Sequence, residues 1–188
     1  MRMRVGALLL AVSAPVAAPA ALMFAAQSAP KLEIKTVAPR PDDVATIDGM
    51  VKAYYEVVSG PKGQPRDWAR DRTLYIKDIR FVPVDVAKDG KINPRIVDHQ
   101  AFAESSAGLE KEGFFEDEIH RITERFGPIA HVWSTYESRR TKDGPVIMRG
   151  INSIELFWDG KRWWIANAIW TDETPENPIP ANYLPPKK

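Results

Sequence analysis

The sequence contains no cysteine and only three histidines among its 188 residues. The absence of cysteine excludes disulfides, thiolate metal sites and a cysteine nucleophile, and it suits an oxidising compartment, where a free thiol is a liability. The chain also has no large excess of charge of either sign, since it contains 26 basic and 25 acidic residues. A chain this close to neutral has no broad basic surface for nucleic acid, so we expect no nucleic-acid partner.

The sequence also lacks the short motifs of the common enzyme classes. It has no HExxH zinc motif, no GxSxG nucleophile elbow, no Walker sequence and no Rossmann glycine pattern. One acid-rich segment runs from Glu116 to Glu124, and the spacing of Glu118 and His120 within it could hold a metal. A solvated strand face with cross-strand ion pairs explains the same residues more simply. We therefore predict neither a metal nor a cofactor.

A long apolar run occurs at the N-terminus. Arg2 and Arg4 precede an apolar, alanine-rich stretch that Pro15 and Pro19 interrupt. This run is shorter than the ~20 apolar residues of a membrane-spanning helix. We predict a secretory signal peptide over residues 1–28, and a periplasmic or secreted protein with no stable membrane anchor after cleavage. An uncleaved membrane anchor is the alternative.

Proline-rich segments bound one domain in the rest of the chain. Residues 29–41 form a predicted linker, and residues 174–188 contain five prolines, which exclude a helix or a central strand there. The intervening residues 42–173 are numerous enough to bury one hydrophobic core. We predict a single domain over this range, followed by an extended tail.

Helical periodicity dominates the first half of this domain. Apolar residues recur every three or four positions, and an aspartate precedes each periodic stretch as a side-chain cap. A short apolar run that contains Pro83 lies between the helices and predicts a strand at a sheet edge. The first predicted helix covers residues 42–59 and ends at a left-handed Gly60. The other predicted helices are a short segment after Asp67 and residues 98–111, and the predicted edge strand covers residues 79–86.

From Gly113 onward the apolar period changes to twofold alternation, which is typical of strands. Asp159-Gly160 is a strong hairpin signal, because both residues tolerate the positive φ of a two-residue turn. Helices followed by consecutive antiparallel strands indicate an α+β fold, with N-terminal helices packed in a strongly curved, mainly antiparallel sheet. The predicted strands are residues 114–125, 129–140, 146–158 and 161–171.

Two strand segments resemble a known superfamily. DGKRWWI, at residues 159–165, resembles the Gly-x-Trp-x-Ile last-strand pattern of the SnoaL-like, or nuclear transport factor 2-like, superfamily, and IAHVWSTYESRR, at residues 129–140, resembles its preceding strand. The resemblance covers about residues 42–172. It implies a cystatin-like α+β cone, in which a bent sheet wraps a long helix and leaves an apolar pocket at the wide end. Members include isomerases, cyclases, dehydratases, dimerisation modules and proteins without known activity, so the resemblance implies a fold and not a function.

The predicted last hairpin suggests residues for such a pocket. With a two-residue turn, Asn152 and Asn167 lie opposite each other on an otherwise apolar face that also carries Trp163. A buried amide needs hydrogen-bond partners, and a ligand carbonyl or hydroxyl can supply them. We predict these three residues to bind ligand. An Asn–Asn pair satisfied within the protein is the alternative, and a bulged turn would dissolve the pair.

The opposite face of the same hairpin suggests an interaction surface. It carries Phe157, Trp164 and Trp170, which together are too aromatic to lie wholly in water. We therefore expect the proline-rich tail or a second subunit to cover this face. The second case makes the protein a homodimer.

Aromatic and titratable residues elsewhere provide further candidates. Tyr54 and Trp68 lie where the helices of such a cone meet the pocket mouth, and we predict them to bind ligand, with a role in the core as the alternative. His131 is the predicted general base, because histidine titrates near neutral pH. Tyr136 is a candidate hydrogen-bond donor on the opposite strand face. Packed, hydrogen-bonded core or dimer residues are the alternative for both.

Three functions are consistent with the sequence. The first is an exported protein that binds a small apolar or amphipathic molecule in an apolar pocket. The second is a pocket enzyme for acid–base chemistry of the isomerase or dehydratase type, with His131 or a pocket carboxylate as the base. The third is a dimerising interaction module. The sequence does not decide whether the protein is an enzyme.

Overall fold

The computed structural model describes residues 31–186. The signal peptide predicted over residues 1–28 and the last two residues of the tail lie outside this range. Within the range, no helix is both long enough and apolar enough to cross a membrane.

The described residues form five α-helices and six strands, and the first two strands come between the third and fourth helices. The α-helices are α1 (Pro41–Val44), α2 (Ile47–Val58), α3 (Trp68–Arg72), α4 (His99–Ser105) and α5 (Ala107–Glu112). The strands are β1 (Tyr75–Val86), β2 (Ile92–Pro94), β3 (Phe115–Phe126), β4 (Ile129–Arg139), β5 (Val146–Trp158) and β6 (Trp163–Asp172), and a 3₁₀ helix covers Ala181–Tyr183.

These strands build one mixed sheet in the order β2-β1-β6-β5-β4-β3. Strands β3 to β6 pair with one another in antiparallel order, whereas β1 runs parallel to β6. The predicted α+β class and the four consecutive antiparallel strands are confirmed. The edge position predicted for residues 79–86 is wrong, because they belong to the longer β1, which pairs with β6 on one side and β2 on the other.

The predicted helix over residues 42–59 is two helices. The side chain of Thr46 caps α2 by accepting a hydrogen bond of 2.9 Å from the Gly49 backbone nitrogen. A Cβ atom on Gly49 would lie 2.0 Å from the carbonyl oxygen of Asp42, so glycine permits the close corner between α1 and α2. The predicted left-handed end of the helix at Gly60 is also wrong. The last residue of α2 is Val58, the next residue, Ser59, is extended, and Gly60 then pairs with Phe114.

Side-chain caps begin the next helices as predicted. Asp67 accepts from the Arg70 backbone nitrogen at the start of α3, and Asp98 accepts from that of Ala101 at the start of α4. The predicted helix over residues 98–111 is interrupted at Ser106, which separates α4 from α5.

A β-bulge in β6 changes which residues face the core. Leu156 pairs with Ile165 but Glu155 pairs with Asn167, so Ala166 is an extra residue in β6. An extra residue moves every later side chain to the other face of the strand. Asn167 therefore leaves the buried face and Trp170 enters it, and the predicted Asn152–Asn167 pair is wrong. Asn152 lies opposite Trp170 instead.

The turn that begins this hairpin is also longer than predicted. Trp158 pairs with Trp163, so four residues form the connection rather than two. The side chain of Asp159 accepts from the backbone nitrogens of Lys161 (2.8 Å) and Arg162 (2.9 Å), and Gly160 has a φ of 96°. The Asp-Gly signal thus predicts the location of the turn, while an Asx-type bond to the aspartate side chain sets its length.

A second bulge lies in β3. Glu118 pairs with Tyr136 and His120 with Thr135, which leaves Ile119 as the extra residue. Glu116 and Glu118 consequently lie on the buried side of the sheet, whereas His120 and Glu124 lie on the other side. The single solvated face predicted for these residues is wrong.

Helix α2 covers one side of the sheet, which we call the inner face. Met50, Val51 and Ala53 of α2 are fully buried, and they belong to the same apolar core as strand residues of this face. Those strand residues, from β4, β5 and β6, are Val132, Ile154, Leu156 and Ile165.

The C-terminal tail packs on the opposite, outer face. The backbone carbonyl of Tyr183 accepts a hydrogen bond of 2.6 Å from Thr135 Oγ1, and the Tyr183 ring lies 5.6 Å from the Trp133 ring. Thr135 is thereby almost completely buried. The predicted aromatic surface of Phe157, Trp164 and Trp170 does not form one face, because Trp170 points inward.

Candidate functional site

A cavity of about 200 Å³ lies between the helices and the inner face of the sheet. We call it the inner pocket. Helices α2, α4 and α5 provide one side, and strands β1 and β3 to β6 provide the rest. Its lining residues are mostly apolar or aromatic: Tyr54, Val58, Tyr75, Phe102, Ser106, Leu109, Phe114, Glu116, Tyr136, Met148, Asn152 and Trp170.

A chain of hydrogen bonds leads from the inner pocket to the edge of the sheet. The Tyr54 hydroxyl donates to Asn152 Oδ1 (3.2 Å), and Asn152 Nδ2 donates to the Tyr55 hydroxyl (3.0 Å). Tyr55 is 2.6 Å from Ser134 Oγ, which in turn donates to Glu118. Both ends of the Asn152 amide are therefore engaged within the protein, and this fixes the orientation of the Tyr54 hydroxyl.

Glu116 is an acidic side chain in the lining. Its Oε1 accepts a hydrogen bond of 3.0 Å from Ser138 Oγ, and the partly buried residue lines the inner pocket. Burial raises the pKa of Glu116 to about 7, the Ser138 bond opposes this rise, and the nearby carboxylates of Asp172 and Asp117 add to it. Both protonation states of this carboxyl are consequently populated near neutral pH.

A second carboxyl lies behind the wall of the inner pocket. The Tyr136 hydroxyl donates to Asp172 Oδ1 at 2.6 Å. Burial raises the pKa of Asp172, and the Tyr136 hydrogen bond opposes this rise. The Tyr136 ring lines the inner pocket while its hydroxyl hydrogen is used by Asp172.

A third buried acid lies on the side of β1. Asp71 has no exposed surface; its Oδ2 is 2.7 Å from His99 Nε2, and its Oδ1 accepts from the Tyr75 hydroxyl at 2.9 Å. These contacts tie α3, α4 and β1 together behind the Tyr75 ring. His99, which sequence reasoning left unassigned, thus has a buried carboxylate partner.

The structure brings together two of the predicted ligand-binding residues. Tyr54 and Asn152 both line the inner pocket and are hydrogen-bonded to each other. Trp68 is buried in the core, where its ring meets that of Phe102 edge-on at 6.1 Å. It lies outside the lining.

Trp163 and Asn167 lie elsewhere. Trp163 lines a separate, larger cleft of about 580 Å³, where the Arg125 guanidinium lies 5.0 Å from its ring. This cleft is bordered by exposed side chains and contains none of the buried carboxyls. Asn167 is on the outer face because of the β6 bulge.

His131, the predicted general base, also lies on the outer face. Its Nε2 is 3.0 Å from Ser153 Oγ, and carboxylate oxygens of Glu124 and Glu155 lie 3.8 Å and 3.9 Å from its two ring nitrogens. The sheet separates His131 from the inner pocket, so it does not reach a molecule bound there. Among residues 31–186, no group of three or more potential ligands is arranged to hold a metal ion.

Sequence reasoning missed Glu116 as a pocket residue and did not consider Asp172. Glu116 was assigned to a solvated strand face, yet it is two positions after the buried Phe114 and thus shares its side of the strand. The twofold alternation from Phe114 therefore indicated that Glu116 lies on the buried side. Asp172 had no such signal, because the β6 bulge determines its face.

No protein-family model matches the sequence, and no curated protein matches it significantly. Solved structures do match. A protein of unknown function with a cystatin-like fold from Nostoc punctiforme has a TM-score of 0.52 and 8% identity, over 69% of this chain and 90% of that one. A protein of unknown function from Mycobacterium tuberculosis has a TM-score of 0.51 and 16% identity, over 72% and 76%.

An NTF-2-like protein of unknown function from Silicibacter pomeroyi also matches, with a TM-score of 0.47 and 14% identity, over 69% of this chain and 94% of that one. The cystatin-like fold predicted from the last-strand pattern is confirmed by the Nostoc punctiforme structure. At these identities the likeness concerns the fold alone.

Proposed function

We propose that the protein is exported and binds a small, largely apolar molecule in the inner pocket. The observation that carries this proposal is an aromatic-lined cavity between the helices and the sheet, on which a few oriented polar groups converge. Its volume of about 200 Å³ is below the roughly 300–1,000 Å³ of drug-sized sites. The ligand is therefore expected to be no larger than one or two rings.

Filling the inner pocket is expected to abolish binding. Met148 lines the cavity and is only partly buried, so Met148→Trp places a larger ring in the cavity at modest cost to the fold. Ile147→Trp is the matched control, because Ile147 is 46% exposed and precedes Met148 on the same strand. A thermal-shift screen of small aromatic compounds identifies binders on the unmodified protein. Binders that retain their affinity for Met148→Trp would contradict the assignment of this cavity.

Export is expected to remove the predicted leader. Arg2 and Arg4 followed by an apolar stretch are the signal for secretion. The intact mass of protein recovered from the periplasm of a bacterial host should correspond to a chain that begins near residue 29. A recovered mass that still includes Met1 to Ala20 would exclude cleavage.

Acid–base catalysis in the same cavity is a second candidate function. The observation that favours it is Glu116, whose pKa of about 7 suits a group that both takes and returns a proton at neutral pH. Glu116 replaces His131 as the candidate base, because His131 is on the other side of the sheet. Any turnover should be lost in Glu116→Gln and unchanged in His131→Ala. The opposite pattern would exclude this mechanism.

A further inference from the structure

We infer that the inner pocket selects an organic cation, namely a protonated primary amine attached to a small apolar body. The inference rests on the proposed function, since it specifies the class of molecule that the inner pocket takes. Charge, aromatic lining and hydrogen-bond direction support it independently.

The charged side chain in the lining of the inner pocket is acidic, and the nearby Arg66 lies behind Val58 and Leu109, where it donates to their carbonyls. Glu116 is in the lining, and no lysine, arginine or histidine is. Asp172 adds a second carboxyl just behind Tyr136. A bound anion would have no cationic partner here, whereas a bound cation would have Glu116 as its counter-ion.

Aromatic rings supply half of the lining side chains. The face of an aromatic ring attracts a cation through its quadrupole, and a desolvated site strengthens this attraction. A cage of several rings around one carboxyl is the arrangement by which proteins recognise alkylammonium groups. The rings are those of Tyr54, Tyr75, Phe102, Phe114, Tyr136 and Trp170.

The direction of the hydrogen bonds also favours a ligand that donates. The hydroxyls of Tyr54, Tyr75 and Tyr136 donate to Asn152, Asp71 and Asp172 respectively. Burial raises the pKa of all three phenols, so they keep their protons. A phenol whose proton is engaged in this way can act only as an acceptor towards a further partner.

The other neutral polar side chains of the lining also use their donors within the protein. Ser106 Oγ donates to the Phe102 carbonyl at 2.8 Å, and Asn152 Nδ2 donates to Tyr55. Trp170 contributes the one lining indole N–H. A ligand ammonium therefore meets mainly acceptors, whereas a carboxylate or phosphate would meet the same acceptors unfavourably.

Binding of a cation should strengthen as Glu116 loses its proton. The charged and titratable groups that act on Glu116 are Tyr54 and Tyr55 from α2, Tyr136 from β4, Asp172 from β6 and Asp117 from its own strand. None of them is cationic. An alkylamine stays protonated well above pH 8, so the pH dependence of its binding between pH 6 and 8 would report on Glu116.

Three probes of matched shape test the inference: 3-phenylpropylamine, 3-phenylpropanol and 3-phenylpropanoate, titrated calorimetrically into the full-length protein. At pH 8 we expect the amine to bind about tenfold or more tightly than the alcohol, and the carboxylate to bind most weakly. The affinity for the amine should rise from pH 6 to pH 8, while that for the alcohol stays constant.

Glu116→Gln should lower the affinity for the amine at pH 8, abolish its rise between pH 6 and pH 8, and leave the affinity for the alcohol unaffected. Glu124→Gln is the matched control and should leave the affinities unchanged, because the Glu124 side chain is 74% exposed and lies on the opposite side of the same strand. Equal binding of amine and alcohol by the unmodified protein would overturn the inference but leave the proposed function standing. If none of the three probes binds, the inference is also overturned. If, in addition, the thermal-shift screen finds no compound whose binding is lost in Met148→Trp, the proposed function is overturned as well.

Discussion

Replacing Arg66 with alanine is expected to lower the free energy of unfolding by about 3–4 kcal/mol, which would be the largest effect of any single polar substitution considered in this protein. Arg66 is only 6% exposed. Its guanidinium donates to carbonyl oxygens at the ends of α2 and α5 and in the loop between α2 and α3. The distances are 2.8 Å to Val58, 2.8 Å to Gly60, 2.7 Å to Gln64 and 3.2 Å to Leu109.

These carbonyls explain the size of the effect. The last carbonyls of a helix have no partner within the helix, and a buried carbonyl without a donor costs about 1–3 kcal/mol. Alanine would remove the donor from the carbonyls of Val58 and Gln64, whereas those of Gly60 and Leu109 keep the backbone nitrogens of Phe114 and Gly113. It would also leave a cavity. Arg66→Lys should recover part of the loss, because an ammonium group donates in fewer directions than the guanidinium fork.

Denaturant unfolding followed by tryptophan fluorescence measures this loss. Arg95→Ala serves as the control, because Arg95 is 55% exposed and pairs with an equally exposed Asp85 at 3.1 Å. A surface pair of this kind contributes about 0–1 kcal/mol. Equal stabilities of Arg66→Ala and Arg95→Ala would show that the carbonyls find other donors.

Replacing Glu116 with glutamine is expected to stabilise the protein by about 2 kcal/mol at pH 8 and to have little effect at pH 4. The folded protein raises the pKa of Glu116 from 4.5 to about 7. Between these two pH values the unfolded chain releases the proton while the folded chain retains it. Stability therefore falls as the pH rises through this window, and it stays reduced above pH 7, where the folded protein must hold the charge.

The full shift would correspond to about 3 kcal/mol, and contact with solvent through the cavity reduces it. Glutamine does not titrate in this range. The difference in unfolding free energy between the variant and the parent protein therefore reports the contribution of Glu116 separately from that of Asp172. Unfolding free energies measured from pH 4 to pH 8 give the result. Parallel pH profiles for the parent protein and Glu116→Gln would contradict the raised pKa.

Local signals in the sequence located most of the secondary structure. Twofold alternation between Gly113 and Thr171 gave the four antiparallel strands to within two residues, and Asp67 and Asp98 gave two helix starts. These features depend on side chains a few positions apart, which a sequence displays directly. The last-strand pattern also indicated the cystatin-like fold, which the solved structures support.

The candidate site was less predictable. Tyr54 and Asn152 were found because an aromatic residue on a helix and an amide on an apolar strand face are visible in the pattern. Asn167 and His131 were misplaced relative to the inner pocket. The alternation gives two faces but does not say which face the helices cover, and it does not show where a bulge exchanges them.

The sequence by itself therefore determined the class of fold, the run of antiparallel strands, the near-neutral charge and the absence of thiol chemistry. The tertiary structure decided which carboxyls face the inner pocket. One extra residue at Ala166 in β6 assigns Trp170 and Asp172 to the inner face and Asn167 to the outer face. Another at Ile119 in β3 places His120 and Glu124 on the face opposite Glu116 and Glu118. Such bulges are stabilised by packing between distant strands and helices, so no short segment of the chain encodes them alone.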